Sequence, residues 1–452
     1  MKLGLAKPLV LVGALQFSIF AGASPVDNRP HQIKRAIEWS LKGYEKFAWG
    51  KDKLIFPESG GTDGMHMAAT LIDSIDTMHI AGLNTSKYEA FVERMDFSRI
   101  RASVNVFEAT IRILGGLLSA HALTARPIYK QKAVEIGDIL LAAYTPGRLQ
   151  CSRITPFTRT CNSGRDGSLA EKGSSSIEFA ELSRITGDPK YKEAVDNVDA
   201  LLMKSACARP NRVSDTGASI GGSISIGGES DSFYEYLLKS AIQTGDEGKL
   251  AYFEKCVDGL YALLYRRFPG GTTFGPHRNG RTSASIGHLD CFFPGLLALS
   301  STVYKNSRHL EMAEAMMDTC VKLYKTPTGV GAESAGLEPH FRITNSENKL
   351  RPEVVESLFY LWRITGKERY RNFAWEMFRA FEKHARQPQG GYCAMRAGRA
   401  CPRGSAGEYR DVGSMPSFWV GETLKYFYLI FTDSMPLKHW VFTTEAHPMP
   451  KI

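Results

Sequence analysis

Apolar residues recur at helical spacing along most of the chain, while strand-like alternation is sparse and confined to loops and the tail. The clearest stretch is residues 350–370, LRPEVVESLFYLWRITGKERY. Pro352 suits a first helical position, where its missing N–H costs nothing. Leu358, Phe359, Leu361, Trp362 and Ile364 form an apolar stripe wide enough for a buried helix. Gly366 reads as the C-terminal stop. Glu353 and Glu356 share a face of the first turn, where the positive end of the helix favours carboxylates. Acids at helix starts are common for that reason, so this stretch alone names no function.

The same ending recurs. LWRITGKERY (361–370) resembles LSRITGDPKY (182–191), and AIQTGDEGKLAYF (241–253) is a looser copy. Each reads as a helix end, a tight turn and a new helix start. Similar turns fit at Asn84-Thr85, Thr124-Ala125, Lys305-Asn306 and Thr432-Asp433. From residue 125 onward the turns are about 60 residues apart, room for two helices and their connections. Pairing on these turns gives seven helical hairpins. One set of helices covers 33–48, 87–96, 127–144, 189–206, 247–267, 307–325 and 367–385. The other covers 66–83, 105–122, 168–186, 229–244, 286–303, 351–365 and 415–431, is more apolar, and belongs inside. Long Gly-, Ser- and Pro-containing loops follow the later outer helices, so those loops and the N-termini of the inner helices gather at one end, the expected binding face. The fold class is all-α. A closed (α/α)7 barrel is the natural architecture, with an open solenoid of stacked hairpins as its rival on periodicity alone. In the closing segment VFTTEAHPMP (441–450), Val441 and Phe442 suit a short strand, and Pro448 and Pro450 forbid a helix. The residues leave open a loose tail or a segment inserted into the barrel.

The 452 residues are 43% hydrophobic and 23% charged, enough for a sizeable core. The net charge is +9, but no run of Lys and Arg forms a nucleic-acid arm, so no nucleic-acid partner is expected. Residues 1–24 read as a signal peptide: Lys2, an apolar run over 9–20, then Ala21-Gly22-Ala23-Ser24 for cleavage. That run is shorter than the roughly 20 residues of a spanning helix, and an uncleaved anchor is the rival reading. No other stretch reads as apolar enough to span a membrane. The expectation is therefore a secretory-pathway protein, secreted or lumenal, without stable membrane insertion after cleavage, monomeric, with residues 30–452 as one catalytic domain. Eight cysteines suit disulfides in such a chain. Cys151 and Cys161 flank a short loop, as do Cys393 and Cys401; Cys291 and Cys320 sit in consecutive predicted helices; Cys207 and Cys256 are free or paired. Asn84-Thr85-Ser86 is a glycosylation sequon at a predicted turn.

Nearly every inner helix carries an acid near its start: Asp73 and Asp76, Glu108, Glu178, Asp231 and Glu235, Asp290, Glu353 and Glu356, and Glu422. Carboxylates crowded at one mouth must be protonated, hydrogen-bonded or neutralised by a cation. That points to proton-transfer chemistry, a hard metal ion with oxygen ligands, or both. Glycoside hydrolysis is the reaction class that most directly uses two opposed carboxyl groups. Phe107, Phe233, Tyr234, Phe418 and Trp419 flank the acids, either as sugar-binding faces or as core. Arg112 and Arg351 either bind hydroxyls or pair with the acids.

Together these residues resemble glycoside hydrolase family 47, the class I α-1,2-mannosidases, and in particular its secreted fungal or Golgi-like members. The ordered blocks include LIDSIDTMHIAGL (71–83), VFEATIRILGGLLSAHAL (106–123), DSFYEYLLK (231–239), HLDCFFPG (288–295), LRPEVVESLFYLWRITG (350–366) and VFTTEAHP (441–448). The resemblance implies an (α/α)7 barrel that the tail enters as a β-hairpin. It implies a calcium-dependent, inverting exo-α-1,2-mannosidase that trims high-mannose N-glycans. By motif, Glu108 matches the general acid, Glu353 the general base, and Asp231 a third essential carboxylate. Thr444 matches the residue that binds calcium directly. Glu178, Glu235, Glu356, Glu422 and Glu445 match acids that hold calcium-bound waters or sugar hydroxyls, and Arg112, Arg351, His288 and Phe418 match substrate contacts. Glu333, in a weakly matching loop, is carried over with them. Two departures stand out. Endoplasmic-reticulum members carry an arginine where this chain has Glu229, which points to the broader Golgi-like or secreted fungal specificity. Many members have Met-Glu-Ser-Phe where this chain has Met415-Pro416-Ser417-Phe418. A mannose-binding relative that recognises misfolded glycoproteins with little hydrolysis is the alternative; intact Glu108, Asp231 and Glu353 speak against it.

Overall fold

A computed structural model describes residues 1, 27–56, 60–396, 401 and 412–452, so the expected signal segment, Met1 apart, lies outside the described residues. Seven helical hairpins form two concentric rings. The inner ring is Ala69–Ile80, Val106–Thr124, Ser176–Thr186, Asp231–Thr244, Phe293–Tyr304, Glu353–Thr365 and Leu424–Ile430. The outer ring is Arg29–Phe47, Ser86–Arg94, Pro127–Leu141, Lys190–Leu202, Glu247–Leu264, Ser307–Cys320 and Arg369–His384. Each inner helix packs on the next, and the turn Trp419–Thr423 packs back on Ala69–Ile80. The ring is closed, which excludes the open solenoid.

The repeat seen in the sequence is one backbone turn. Gly187, Gly245 and Gly366 end their helices at φ of 75°, 74° and 66°, a conformation that costs glycine nothing. Gly82, Ala125 and Lys305 hold the same left-handed conformation in their own turns. Three helices differ from expectation. Pro352 lies one residue before its helix, as the N-cap. The stretch 168–186 breaks at Ser174 and Ser175 into Leu169–Gly173 and Ser176–Thr186. Ser174 Oγ donates to Ser232 Oγ at 2.7 Å, and hydroxyls of this kind compete with helical backbone bonding. Val106–Thr124 has the length and mean hydropathy of a membrane span (19 residues, 1.3), contrary to the sequence expectation, but it is an inner helix of the barrel, 67% buried over its most apolar window.

The strands are short ribbons in the loops. Val104–Asn105 pairs with Arg153–Thr155 and runs straight into the helix that carries Glu108. Ser285–Gly287 pairs with Ser334–Gly336 and runs straight into His288. All eight cysteines pair: Cys151–Cys161, Cys207–Cys256, Cys291–Cys320 and Cys393–Cys401. The pair left open, Cys207 and Cys256, joins a long loop to an outer helix.

The tail is inserted. Trp440–Phe442 and Pro448–Pro450 form an antiparallel hairpin that packs on the inner helices bearing Leu117 and Glu235. His447, in its connecting turn, is fully buried between two acids, with Nδ1 2.8 Å from Asp76 Oδ2 and Nε2 3.1 Å from Asp73 Oδ1. Lys425 Nζ donates to Asp76 Oδ2 at 2.8 Å and to the Ala446 carbonyl at 2.9 Å. Burial works against these charges, but their mutual attraction outweighs it: Asp73 and Asp76 are held below the usual carboxylate range, and His447 above the usual imidazole range. The neighbouring helix makes room with glycine, since a Cβ on Gly115 would lie 2.8 Å from the His447 ring. Asp73 and Asp76 therefore anchor the tail inside the barrel. They lie beyond the first turn of Ala69–Ile80, so they are not mouth acids as the sequence suggested.

Removing one partner of a buried charge cluster strands the others. His447→Ala should cost about 3–5 kcal/mol in urea unfolding. Lys367→Ala, at the exposed Lys367–Glu314 pair, should cost no more than about 1 kcal/mol. Equal losses in the two variants would refute the anchoring role.

Candidate active site

The acid side starts with a cap. Asn105 Oδ1 accepts the Glu108 N–H at 3.1 Å and starts the helix with Glu108 in its first turn. Residues Ala109–Leu114 are then wound as a π-helix. Such turns are often found at functional sites, and nothing in ATIRIL signals one. Arg112 lies within it and donates from Nε to Glu108 Oε2 at 2.7 Å and from Nη1 to Ser417 Oγ at 3.1 Å. The same guanidinium pairs with Glu445 on the inserted hairpin, lies 3.6 Å from Asp73, and sits 5.7 Å from the centre of the Phe418 ring. Glu108 is thereby tied to the buried tail.

The base side is built from loops. His288 Nδ1 lies 2.7 Å from Glu353 Oε2, and its Nε2 lies 3.0 Å from the Tyr324 hydroxyl. The His288 backbone N–H donates to the Glu333 carbonyl at 2.8 Å, and Arg351 Nε donates to Glu333 Oε2 at 2.8 Å. Glu333, carried over from a weakly matching loop, thus stands beside Arg351. Burial would raise Glu353, but His288 and Arg351 together hold it below the usual glutamate range, so it is ionised at neutral pH. Asp231 opens its own inner helix and is half-buried. Burial and the charges of Glu235, Glu353 and Asp290 push it up to about 7.

A cavity of about 300 Å³ opens between these sides, lined by Glu108, Arg112, Arg351, Ser417 and Phe418, with Asp52, Met65 and Lys349 on its rim. Asp52 escaped the sequence reading. It accepts five backbone N–H groups, those of Gly64, Met65, His66, Met67 and Ala69, and so shapes the loop before Ala69–Ile80.

Deeper in, the acids outnumber their partners. Glu235 pairs with Lys239, whose Nζ also lies 3.3 Å from Glu356. Tyr236 donates to Glu178 Oε1 at 2.6 Å, and its hydroxyl also meets the backbone of Thr444. Burial pushes Glu178 and Glu356 each up to about 8. Burial also drives Glu422 and Glu445 well up, against the pull of Arg112. Glu178 Oε2 is buried without a hydrogen-bond partner. An orphaned carboxylate oxygen among surplus acids, one tyrosine away from the Thr444 backbone, is a donor set that suits a hard divalent cation. Among the described residues no three acids, histidines or cysteines converge as ligands, so the carboxylates would act mainly through water. Lys239, Lys425, Tyr236 and Tyr324 were not picked out from sequence. Their one signal is a polar group on an otherwise apolar face.

The sequence profile of glycosyl hydrolase family 47 matches residues 36–451. The endoplasmic reticulum mannosyl-oligosaccharide 1,2-alpha-mannosidase of Rattus norvegicus is 37% identical over 98% of this chain and 71% of its own length. A mannosyl-oligosaccharide 1,2-alpha-mannosidase of Arabidopsis thaliana is 36% identical over 95% of this chain and 80% of its own. The solved alpha-1,2-mannosidase from Trichoderma reesei superposes with a TM-score of 0.85 at 26% identity, covering 95% of this chain and all of the other.

Glu178 and Glu356 hold protons in the fold that they would lose above about pH 4.5 when unfolded. The stability this confers is fully present at low pH and is lost as pH rises through about 8. With a chelator present, the melting temperature should therefore fall between pH 5 and pH 8. A flat or rising profile would contradict the protonated state of these acids.

Proposed function

The chain belongs to glycosyl hydrolase family 47, and from that premise we propose that it is a calcium-dependent, inverting exo-α-1,2-mannosidase trimming high-mannose N-glycans. The observation that carries the reading is one cavity that Glu108 lines directly and that Glu353 adjoins through Arg351. Glu108, steadied by Arg112, supplies the proton to the departing glycosidic oxygen by way of a water. Glu353, ionised and aimed by His288, takes a proton from the water that attacks the anomeric carbon from the opposite face. That water needs room, so the two carboxyl groups should stand roughly 6.5–9.5 Å apart with sugar bound. Asp231, near neutrality in its titration, is poised to share a proton with this base side. Phe418 and Arg112 offer a ring face and hydroxyl donors to the terminal mannose. Thr444 would hold calcium, with Glu178, Glu235, Glu356, Glu422 and Glu445 around it. Its charge would bind sugar hydroxyls and offset the buried acids.

Glu229 supports the broader specificity. It stands at φ 71° just before Asp231, where endoplasmic-reticulum members place arginine, and its carboxylate accepts from Asn211 at 3.1 Å and lies 3.7 Å from Arg212. A secretory-pathway location, secreted or lumenal, and a monomeric state complete the reading. Asn84 is exposed, with Oδ1 accepting the Ser86 N–H at 2.9 Å, so its amide is available for glycosylation.

Glu108→Gln and Glu353→Gln should each lower kcat by orders of magnitude at unchanged melting temperature, and EDTA should abolish activity that calcium restores. Wild-type turnover in either variant would refute the assignment. On a nine-mannose glycan, the product series followed over time should pass beyond loss of one mannose. A stop after one would show that Glu229 does not broaden specificity.

A further inference from the structure

Asp290 is left without a role by the reading above. It lies on the short helix Leu289–Phe292 and is 7% exposed. Its Oδ2 accepts the Gly287 N–H at 2.6 Å. Between them lie Leu289 and His288, the partner of Glu353. Its Oδ1 lies so close to Gly227 that a Cβ there would sit 1.9 Å away. The Gly227 carbonyl in turn accepts the N–H groups of Ser230 and Asp231 at 2.9 and 3.0 Å, which starts the helix presenting Asp231. One buried carboxylate therefore braces the supports of both acids on the base side.

We propose that Asp290 is a positioning residue for this half of the site: it holds the Gly287–His288 turn so that His288 meets Glu353, and it places a negative charge beside Glu353 and Asp231. The proposal rests on the hydrolytic reading for its consequence in turnover, though not for its geometry. The charged and titratable groups around it are Glu353, Asp231, His288, Glu333, Arg351 and Glu235. Burial pushes Asp290 itself up to about 6, with Glu353 adding to the shift, so it is charged across the neutral range. A helix-capping carboxylate would make the Gly287 contact too. The charge is what separates the two roles.

Asp290→Asn keeps an oxygen for Gly287 and loses the charge, whereas Asp290→Ala loses both. Removing a nearby negative charge eases ionisation of the remaining carboxylates. In Asp290→Asn the acid limb of kcat/KM should move down by about 0.5–1 pH unit, because Asp231, pushed up to about 7, loses a negative neighbour, with kcat at the optimum within about threefold of wild type. In Asp290→Ala kcat should fall about 10–100-fold with KM within about threefold, because the base is misaimed rather than the sugar lost. NMR of 13C-labelled aspartate gives a readout independent of turnover: Asp231 should titrate about 0.5–1 unit lower in Asp290→Asn. That shift alongside a wild type that releases no mannose would sink the hydrolytic reading and leave Asp290 in place. Superposable Asp231 titrations and pH limbs in wild type and Asp290→Asn would overturn the proposal. So would a kcat loss in Asp290→Ala that merely tracks its melting temperature.

Discussion

Buried negative charge is the constraint that this barrel has to satisfy. A carboxylate removed from water needs a cation, a proton or a set of N–H donors. All three solutions occur here, each in its own part of the structure. Asp52 takes backbone N–H groups, Asp73 and Asp76 take His447 and Lys425, and Glu178 and Glu356 keep protons. The cations come from elements far apart in the chain: Arg112 on the second inner helix, Lys425 on the last, His447 on the tail. Satisfying the acids thus draws the tail into the barrel and ties the last hairpin to the first. Ring closure and the site share one electrostatic solution.

That dependence explains what could be read in advance. The hairpins were legible because each inner helix buries an apolar stripe and all but the last end in the same left-handed turn. The marker was plain at Gly187, Gly245 and Gly366 and faint at Ala125 and Lys305, where the same turn carries a side chain. The acids Glu108, Asp231 and Glu353 were legible because each opens a helix, where the sequence shows both the residue and the boundary. Asp73 and Asp76 were placed with the mouth acids because both stand in the first half or middle of an inner helix, and sequence does not show that the inserted tail covers them with His447. Lys425 was missed because LKYFYLI reads as apolar helix, and a lysine there looks like a surface residue rather than the partner of Asp76. The π-turns at Ala109–Leu114 and Trp419–Thr423 have no sequence signature of their own. Glu108, Arg112 and Glu353 acquired roles only through family motifs, since spacing alone leaves an acid near a helix start with several meanings.

The two halves of the site are mounted differently. Glu108 is held by Arg112, and Arg112 by Glu445 and Asp73, so the acid is continuous with the fully buried charge cluster of the tail. Ser417, beside Pro416, also receives Arg112. Glu353 is held by His288, and His288 by Glu333 and Tyr324; His288 and Glu333 adjoin the ribbon between an outer and an inner helix, and Tyr324 ends the short helix Val321–Tyr324. The acid therefore rests on the core of the barrel, and the base on its loops. Loop changes can retune the base and the rim near Glu229 with little effect on the acid.

The direction in which each buried acid is pushed separates those the chain itself compensates from those it does not. Asp73, Asp76 and Glu353 are held below the usual range because a fixed cation or imidazole compensates them in the protein itself. Their charge is complete without a ligand. Glu178, Asp231, Glu356 and Glu422 are pushed upward because nothing in the chain fully compensates them. A fold seeking stability alone would replace such acids with apolar groups, since an unpaired buried carboxylate is a liability. Kept in place, they fit the proposed calcium ion and sugar hydroxyls, which would let them ionise.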